Sequence, residues 1–211
     1  MTDPSGGAPI PPPPAGNWQA PPPPQPSGFQ QAPIEPGPAP GIAYADLVTR
    51  VIAYVIDSIL LAVAGAIVGL VLGVAILGFL LTGGFVLAVF GAAILALVML
   101  VLSAVYFVYT WTTMRASPGQ KILNLETVNA ADGATLTQPQ AIRRWAFLFG
   151  PQAVASALQF GLGASDISWL SPLISLLSLL YVIYLLYSAS QSPKRQGFHD
   201  AQAGTVVIKH L

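Results

Sequence analysis

The chain has 211 residues, 54% of them hydrophobic and only 8% charged. An ordinary soluble domain carries about 25% charged residues, so this is the composition of an integral membrane protein. Eight basic and eight acidic side chains leave no formal net charge, which argues against a nucleic-acid partner. The absence of cysteine excludes disulfides, thiolate metal sites and thiol nucleophiles. The two histidines, His199 and His210, are too few for a metal-ligand cluster.

The first forty residues hold fifteen of the twenty prolines, with unbroken runs at 11–14 and 21–24, and only Asp3 and Glu35 as charges. Proline fixes φ and lacks an amide donor, so residues 1–41 are expected to form an extended or disordered tail on the cytoplasmic side. The tail has no basic stretch followed by an apolar core and does not read as a secretory signal. It is either simply solvated or a proline-rich ligand for a partner domain.

From residue 42 to 113 the chain is apolar apart from Asp46, Arg50, Asp57 and small polar residues. A spanning helix needs about 20 residues, and Thr82-Gly83-Gly84 is the best turn, so spans are predicted near 46–78 and 85–113. Gly65, Gly69 and Gly73 recur at steps of four on the first span. Such a stripe admits a second helix closely, although glycine is common in spanning helices in any case. After a soluble stretch at 114–144, a weaker span is expected near 145–162, interrupted by Pro151, Gln152 and Gln159. A connection at 163–168 containing Asp166 leads to a fourth span near 169–189, with Pro172 in its first turn, where proline is tolerated.

Charge distribution favours four spans over five. Arg115, Lys121, Arg143, Arg144, Lys194, Arg195 and Lys209 all lie in the 114–144 stretch or the C-terminal tail. Four spans put both basic segments and both termini on the cytoplasmic side of a cell membrane, as the positive-inside rule prefers. Trp111 and Trp145 would then mark the cytoplasmic interface and Trp169 the outer one. The soluble pieces have strand character. Residues 121–128 alternate partly, Asp132-Gly133 is a turn dipeptide leading to 134–137, and 205–208 is β-branched. A hairpin of the first two, joined by the third, would make a small cytoplasmic sheet; irregular loop is the alternative. The predicted architecture is an all-α membrane protein, a four-helix transmembrane bundle over 42–211 with a small cytoplasmic β element.

Asp46, Arg50, Tyr54 and Asp57 share one helix face. Asp46 and Arg50 have the favourable acid-before-base spacing, and Arg50 is close enough to the boundary to snorkel. Asp57 lies about 16 Å further along the axis than Asp46, near the expected midplane. It either binds a cation or carries a proton, tuned by Arg50, or fixes the packing by bonding another helix or Arg50. Ser171, Ser175, Ser178 and Tyr181 on the fourth span read as path lining or as helix packing. Asp200, in soluble sequence, either caps the last segment or meets Arg50 or the loop cations.

The block YADLVTRVIAYVID at 44–57 resembles the opening of the RDD family, named for one arginine and two aspartates. SPGQKILNLETVNAADGATLT at 117–137 is similar to that family's loop after the second helix, and RQGFHDAQAGTVVI at 195–208 to its closing motif. The resemblance covers about 44–208 and makes Arg50, Asp57 and Asp200 the signature residues. It implies a membrane protein for which transport of unknown ligands, including cation–proton exchange, has been suggested. Two functions follow as expectations. One is a small transporter, oligomeric, with Asp57 as ion or proton site. The other is a non-enzymatic scaffold or assembly factor contacting a second copy or other membrane proteins through the glycine stripe. No nucleophile–base pair, metal cluster or phosphate-cradling loop points to an enzyme, and no cofactor is implied.

Overall fold

A computed structural model describes residues 37–162 and 167–211. The proline-rich tail to residue 36 and the Asp166 connection lie outside the described residues. Strand β1 (Ile42–Tyr44) precedes helix α1 (Leu47–Leu81), which turns through Thr82–Gly84 into α2 (Phe85–Thr113). Asp46 starts α1 by accepting the backbone N–H of Thr49 at 2.8 Å. That satisfies one of the amides every helix leaves open at its first turn. The short helix α3 (Pro118–Ile122), strand β2 (Leu125–Asn129) and helix α4 (Gln138–Leu162) follow. A 3₁₀ turn at Ser168–Leu170 enters α5 (Ser171–Gln191), and α6 (Phe198–Ala203) leads to β3 (Thr205–His210). Among the described residues, α1, α2 and the helical stretch Ser168–Gln191 are long and apolar enough to cross a membrane. Helix α4 occupies the place of the expected third span but starts earlier, so it takes in Arg143 and Arg144.

Pro151 sits inside α4. It has no N–H to offer the carbonyl four residues back, which belongs to Phe147. The Tyr181 hydroxyl of α5 donates to that carbonyl instead. Gln159 Nε2 donates to Ser175 Oγ at 3.3 Å between the same two helices. These polar residues therefore join α4 to α5, which is the packing role.

The sheet exists but is built differently from the expected hairpin. Its order is β1-β3-β2, with β3 central and antiparallel to both neighbours. Residues 134–137 form no strand. Leu136 is drawn instead into a cluster with Phe107, Trp111 and Ala141, which takes its segment to the helix side. The third strand is instead supplied by the residues just before α1, which pair with the far edge of β3. Alternation along β3 sends Val207 toward Ala45, Ala53 and Leu125, and Val206 and Ile208 toward Val128 on the other face. Thus the entry to α1, the exit from α2 and the exit from α5 all meet in one sheet.

Two further expectations change, for Trp111 and for the Asp46–Arg50 pair, and the glycine stripe divides. Trp111 is not an interfacial anchor: it is 2% exposed, under the Arg144 guanidinium. A Cβ at Gly65 would meet Met99 of α2 at 3.3 Å, whereas Gly69 and Gly73 face no atom within 4 Å. The Asp46–Arg50 pair does not form, because Asp46 is engaged by Thr49 and Arg50 turns toward the C-terminal segment.

Candidate functional site

Asp57 is 2% exposed and accepts three hydrogen bonds. Tyr106 Oη of α2 donates to Oδ1 at 2.8 Å, the Gly119 N–H donates to the same oxygen at 2.8 Å, and the Ser117 hydroxyl donates to Oδ2. The carboxylate therefore joins α1 to both α2 and α3. Helix α1 has 35 residues, about 52 Å at 1.5 Å per residue, so part of it extends beyond a hydrocarbon core about 30 Å thick.

The sequence Ser-Pro-Gly-Gln builds the other side of this contact. Ser117 caps α3 and Pro118 takes a first-turn place where no amide is needed. The Gln120 side chain returns to the Ser117 N–H at 2.9 Å, closing a capping box. Gly119 has no side chain because none fits. A Cβ there would run into the Ala53 carbonyl oxygen and stand 2.9 Å from Asp57 Cγ.

The second cluster centres on Asp200, which is fully buried. Arg50 Nη1 reaches Asp200 Oδ2 at 2.9 Å and Arg144 Nη2 reaches Oδ1 at 3.0 Å. Arg50 also donates from Nε to the Ala45 carbonyl and from Nη2 to the Val207 carbonyl, both at 3.2 Å. One guanidinium thus ties α1 to α6 and to the central strand. Asp200 also closes α6 by accepting the Gly197 N–H at 3.4 Å, and Gly204 then turns the chain into β3 at φ 65°. Burial opposes the charge of Asp200, but Arg144 and Arg50 outweigh it and hold the carboxyl well below its ordinary range. Next to it, burial pushes the His199 imidazole down to about 4, against the pull of Asp200, so His199 is neutral near pH 7.

The two clusters flank a cavity of about 200 Å³, whose polar lining includes Arg50, Asp57, Ser117, Gln120, Arg144 and His199. Of the residues picked out in the sequence, Arg50 and Asp200 come into contact, while Asp57 stands in its own hydrogen-bonded group and the glycine stripe belongs to neither. Arg144, His199, Ser117 and Gly119 were not singled out. The signals were present: the buried member of the Arg143-Arg144 pair directly precedes Trp145, and the motifs resembling a family loop and ending contain the other three.

The architecture is that of a helical membrane protein whose apolar helices are fastened to a small sheet through buried aspartates and arginines. The RDD family model matches residues 44–204, and the chain belongs to the RDD family. No curated protein and no solved structure matches the chain.

Proposed function

We propose that the chain crosses a cell membrane four times, with the sheet and both termini on the cytoplasmic side, and that it transports a small ion coupled to protons. Sheet topology supports the count. β1 and β2 are separated by α1 and α2, and β2 and β3 by α4 and α5. Strands can pair only on one side of a bilayer, so each interval must cross an even number of times. With α5 crossing, α4 must cross as well. The exposed basic residues Arg143 and Lys121 lie on the sheet side, which the positive-inside rule assigns to the cytoplasm.

The observation that carries the transport reading is the triple hydrogen bond at Asp57. Protonation would put a donor where an acceptor now meets Tyr106, Ser117 or Gly119, and would loosen α3 from α1. A proton on Asp57 is thereby linked to movement of the cap at the end of the spans, which is the coupling an exchanger requires. The test is cation-driven proton movement in proteoliposomes with sodium, potassium and lithium, wild type beside Asp57→Asn, both first checked as folded particles of equal size. Exchange in the wild type that is lost in Asp57→Asn supports the reading; no exchange in either rejects it.

A non-enzymatic scaffold is the second reading, favoured by Gly69 and Gly73, which face open space on a lipid-exposed helix and leave room for a helix of a second copy or another membrane protein.

A further inference from the structure

Asp57 and Tyr106 are joined by a 2.8 Å hydrogen bond, yet they face different spaces. Asp57 lines the 200 Å³ cavity, in company with Gln120 of α3, His199 of α6 and Val207 of β3 on the sheet side. Tyr106 lines a second cavity of about 430 Å³, with Met99 and Ser103 of α2 on the same wall. This larger space follows α1 from Tyr54 to Gly65, about 16 Å away from the sheet at 1.5 Å per residue. Asp57 is not on its wall, and Tyr106 is not on the wall of the smaller one.

Tyr54, Phe107 and Phe149 line both cavities and stand between them. Their rings form a row, with centroids 6.0 Å apart for Tyr54 and Phe149 and 4.9 Å for Phe107 and Phe149. Tyr106 continues the row edge-on to Phe107 at 5.0 Å. An apolar wall offers a hydrated ion nothing in exchange for its water, so it must open before an ion can cross. A proton needs only oxygens at hydrogen-bond distance, and the Tyr106–Asp57 bond supplies that link beside the rings.

The larger cavity has the polarity to bring a proton to the phenol. Ser58 and Ser103 on its walls donate to the carbonyls of Tyr54 and Leu100, both at 2.8 Å, so each hydroxyl oxygen keeps an acceptor site for water. With the Tyr106 oxygen, that makes three acceptors around a space many times the volume of one water.

We propose that Tyr106 is a proton relay that loads Asp57 from the larger cavity, past a ring wall that stays shut to ions. The inference rests on the exchange reading, in which Asp57 takes up a proton. A hydronium ion in the larger cavity gives a proton to the Tyr106 oxygen and is left as water, while the phenol's own proton passes to Asp57 Oδ1. Tyr106 ends neutral and Asp57 ends protonated. Oδ1 also accepts the Gly119 N–H, so the arriving proton falls on the contact that seats α3.

The test compares two fluxes of the full chain in proteoliposomes, using whichever of sodium, potassium and lithium the wild type exchanges for protons. One is proton–cation exchange; the other is isotope exchange of the same cation at equal pH, which needs no proton on Asp57. Tyr106→Phe keeps the ring and removes the oxygen. It should cut proton–cation exchange at least tenfold and leave isotope exchange within twofold of wild type, whereas a phenol that only braces Asp57 would slow both alike. Ala62→Phe, which fills the larger cavity and leaves every bond to Asp57 in place, should slow the same flux alone and decides the matter if Tyr106→Phe fails to fold. Proton–cation exchange that is lost in Asp57→Asn but intact in either variant, or both fluxes slowed alike, would overturn the relay and leave the exchange reading standing. No exchange in the wild type would reject that reading and the relay with it.

Discussion

Replacing Gly119 by alanine adds one methyl group at the tightest contact between α3 and α1. The new Cβ would overlap the Ala53 carbonyl oxygen and stand 2.9 Å from Asp57 Cγ. Neither neighbour can yield: one is helix backbone and the other is a buried carboxylate with three donors. Helix α3 must therefore retreat, and the Gly119 N–H and Ser117 hydroxyl leave Asp57 together. Each hydrogen bond lost by a buried group costs about 1–3 kcal/mol, and more for a charged one, so the total is about 3–5 kcal/mol. At about 2–4 °C per kcal/mol for a domain of this size, the unfolding midpoint should fall by about 10 °C. The assay is thermal unfolding of the purified protein in detergent. Gly150→Ala is the control, since a Cβ at that α4 position meets no atom within 4 Å; it should be neutral or stabilising. A Gly119→Ala protein as stable as the Gly150→Ala protein would refute the reasoning, because it would mean that α3 is not seated on Asp57.

Other consequences are equally open to measurement. Tyr181→Phe leaves the Phe147 carbonyl without a donor and should cost about 1–3 kcal/mol, whereas in a Pro151→Ala background, which restores the helical N–H, the same change should cost much less; equal costs in a double-mutant cycle would exclude the assigned link. Asp200→Asn leaves Arg50 and Arg144 without their counter-charge and should destabilise by about 3–5 kcal/mol in denaturant unfolding. Glu126→Gln, at a half-exposed pair with Arg115, should change stability by less than about 1 kcal/mol, and similar effects at the two sites would contradict the burial argument. Folded His199 takes a proton only below about 4, but an unfolded histidine does so below about 6.5, so the unfolded state binds the extra proton in between and stability falls as pH drops through that window. The full swing is about 3 kcal/mol, and Asp200 adds a further loss only below about pH 4, as it protonates in the unfolded chain first. His199→Gln should flatten the decline of the unfolding midpoint between pH 6.5 and 4.5; an unchanged slope would remove His199 as its cause.

Apolar runs of spanning length and the Thr82–Gly84 turn made the helices readable in the sequence, because a bilayer imposes length and polarity directly on a chain. Pro172 and Pro151 were readable as local rules, but the Tyr181 hydroxyl that answers Pro151 is thirty residues away, and no local rule connects them. The strands were harder. β3 stood out by its β-branched residues, whereas β1 is three residues long and becomes a strand only because β3 offers it an edge. At the site, i,i+4 spacing pairs Arg50 with Asp46, but Thr49 engages Asp46, and of the two partners the sequence offers Arg50 it is Asp200, 150 residues away, that meets it. Arg144 looked like one more loop cation because its burial depends on Trp111 and Asp200, both distant in sequence.

Membrane sidedness of the strands tests the central claim most directly, since the sheet, the four crossings and both buried clusters stand or fall together. The chain has no cysteine, so a single introduced thiol reports alone. Thr82→Cys, Asp132→Cys and Gln202→Cys are placed at exposed positions after α1, after β2 and in α6, and labelled with a membrane-impermeant maleimide in sealed right-side-out and inverted vesicles. The account predicts that positions 132 and 202 react from the cytoplasmic side and position 82 from the opposite side. Labelling of 132 and 202 from opposite sides would contradict it, for β2 and β3 then could not pair and α4 would not cross.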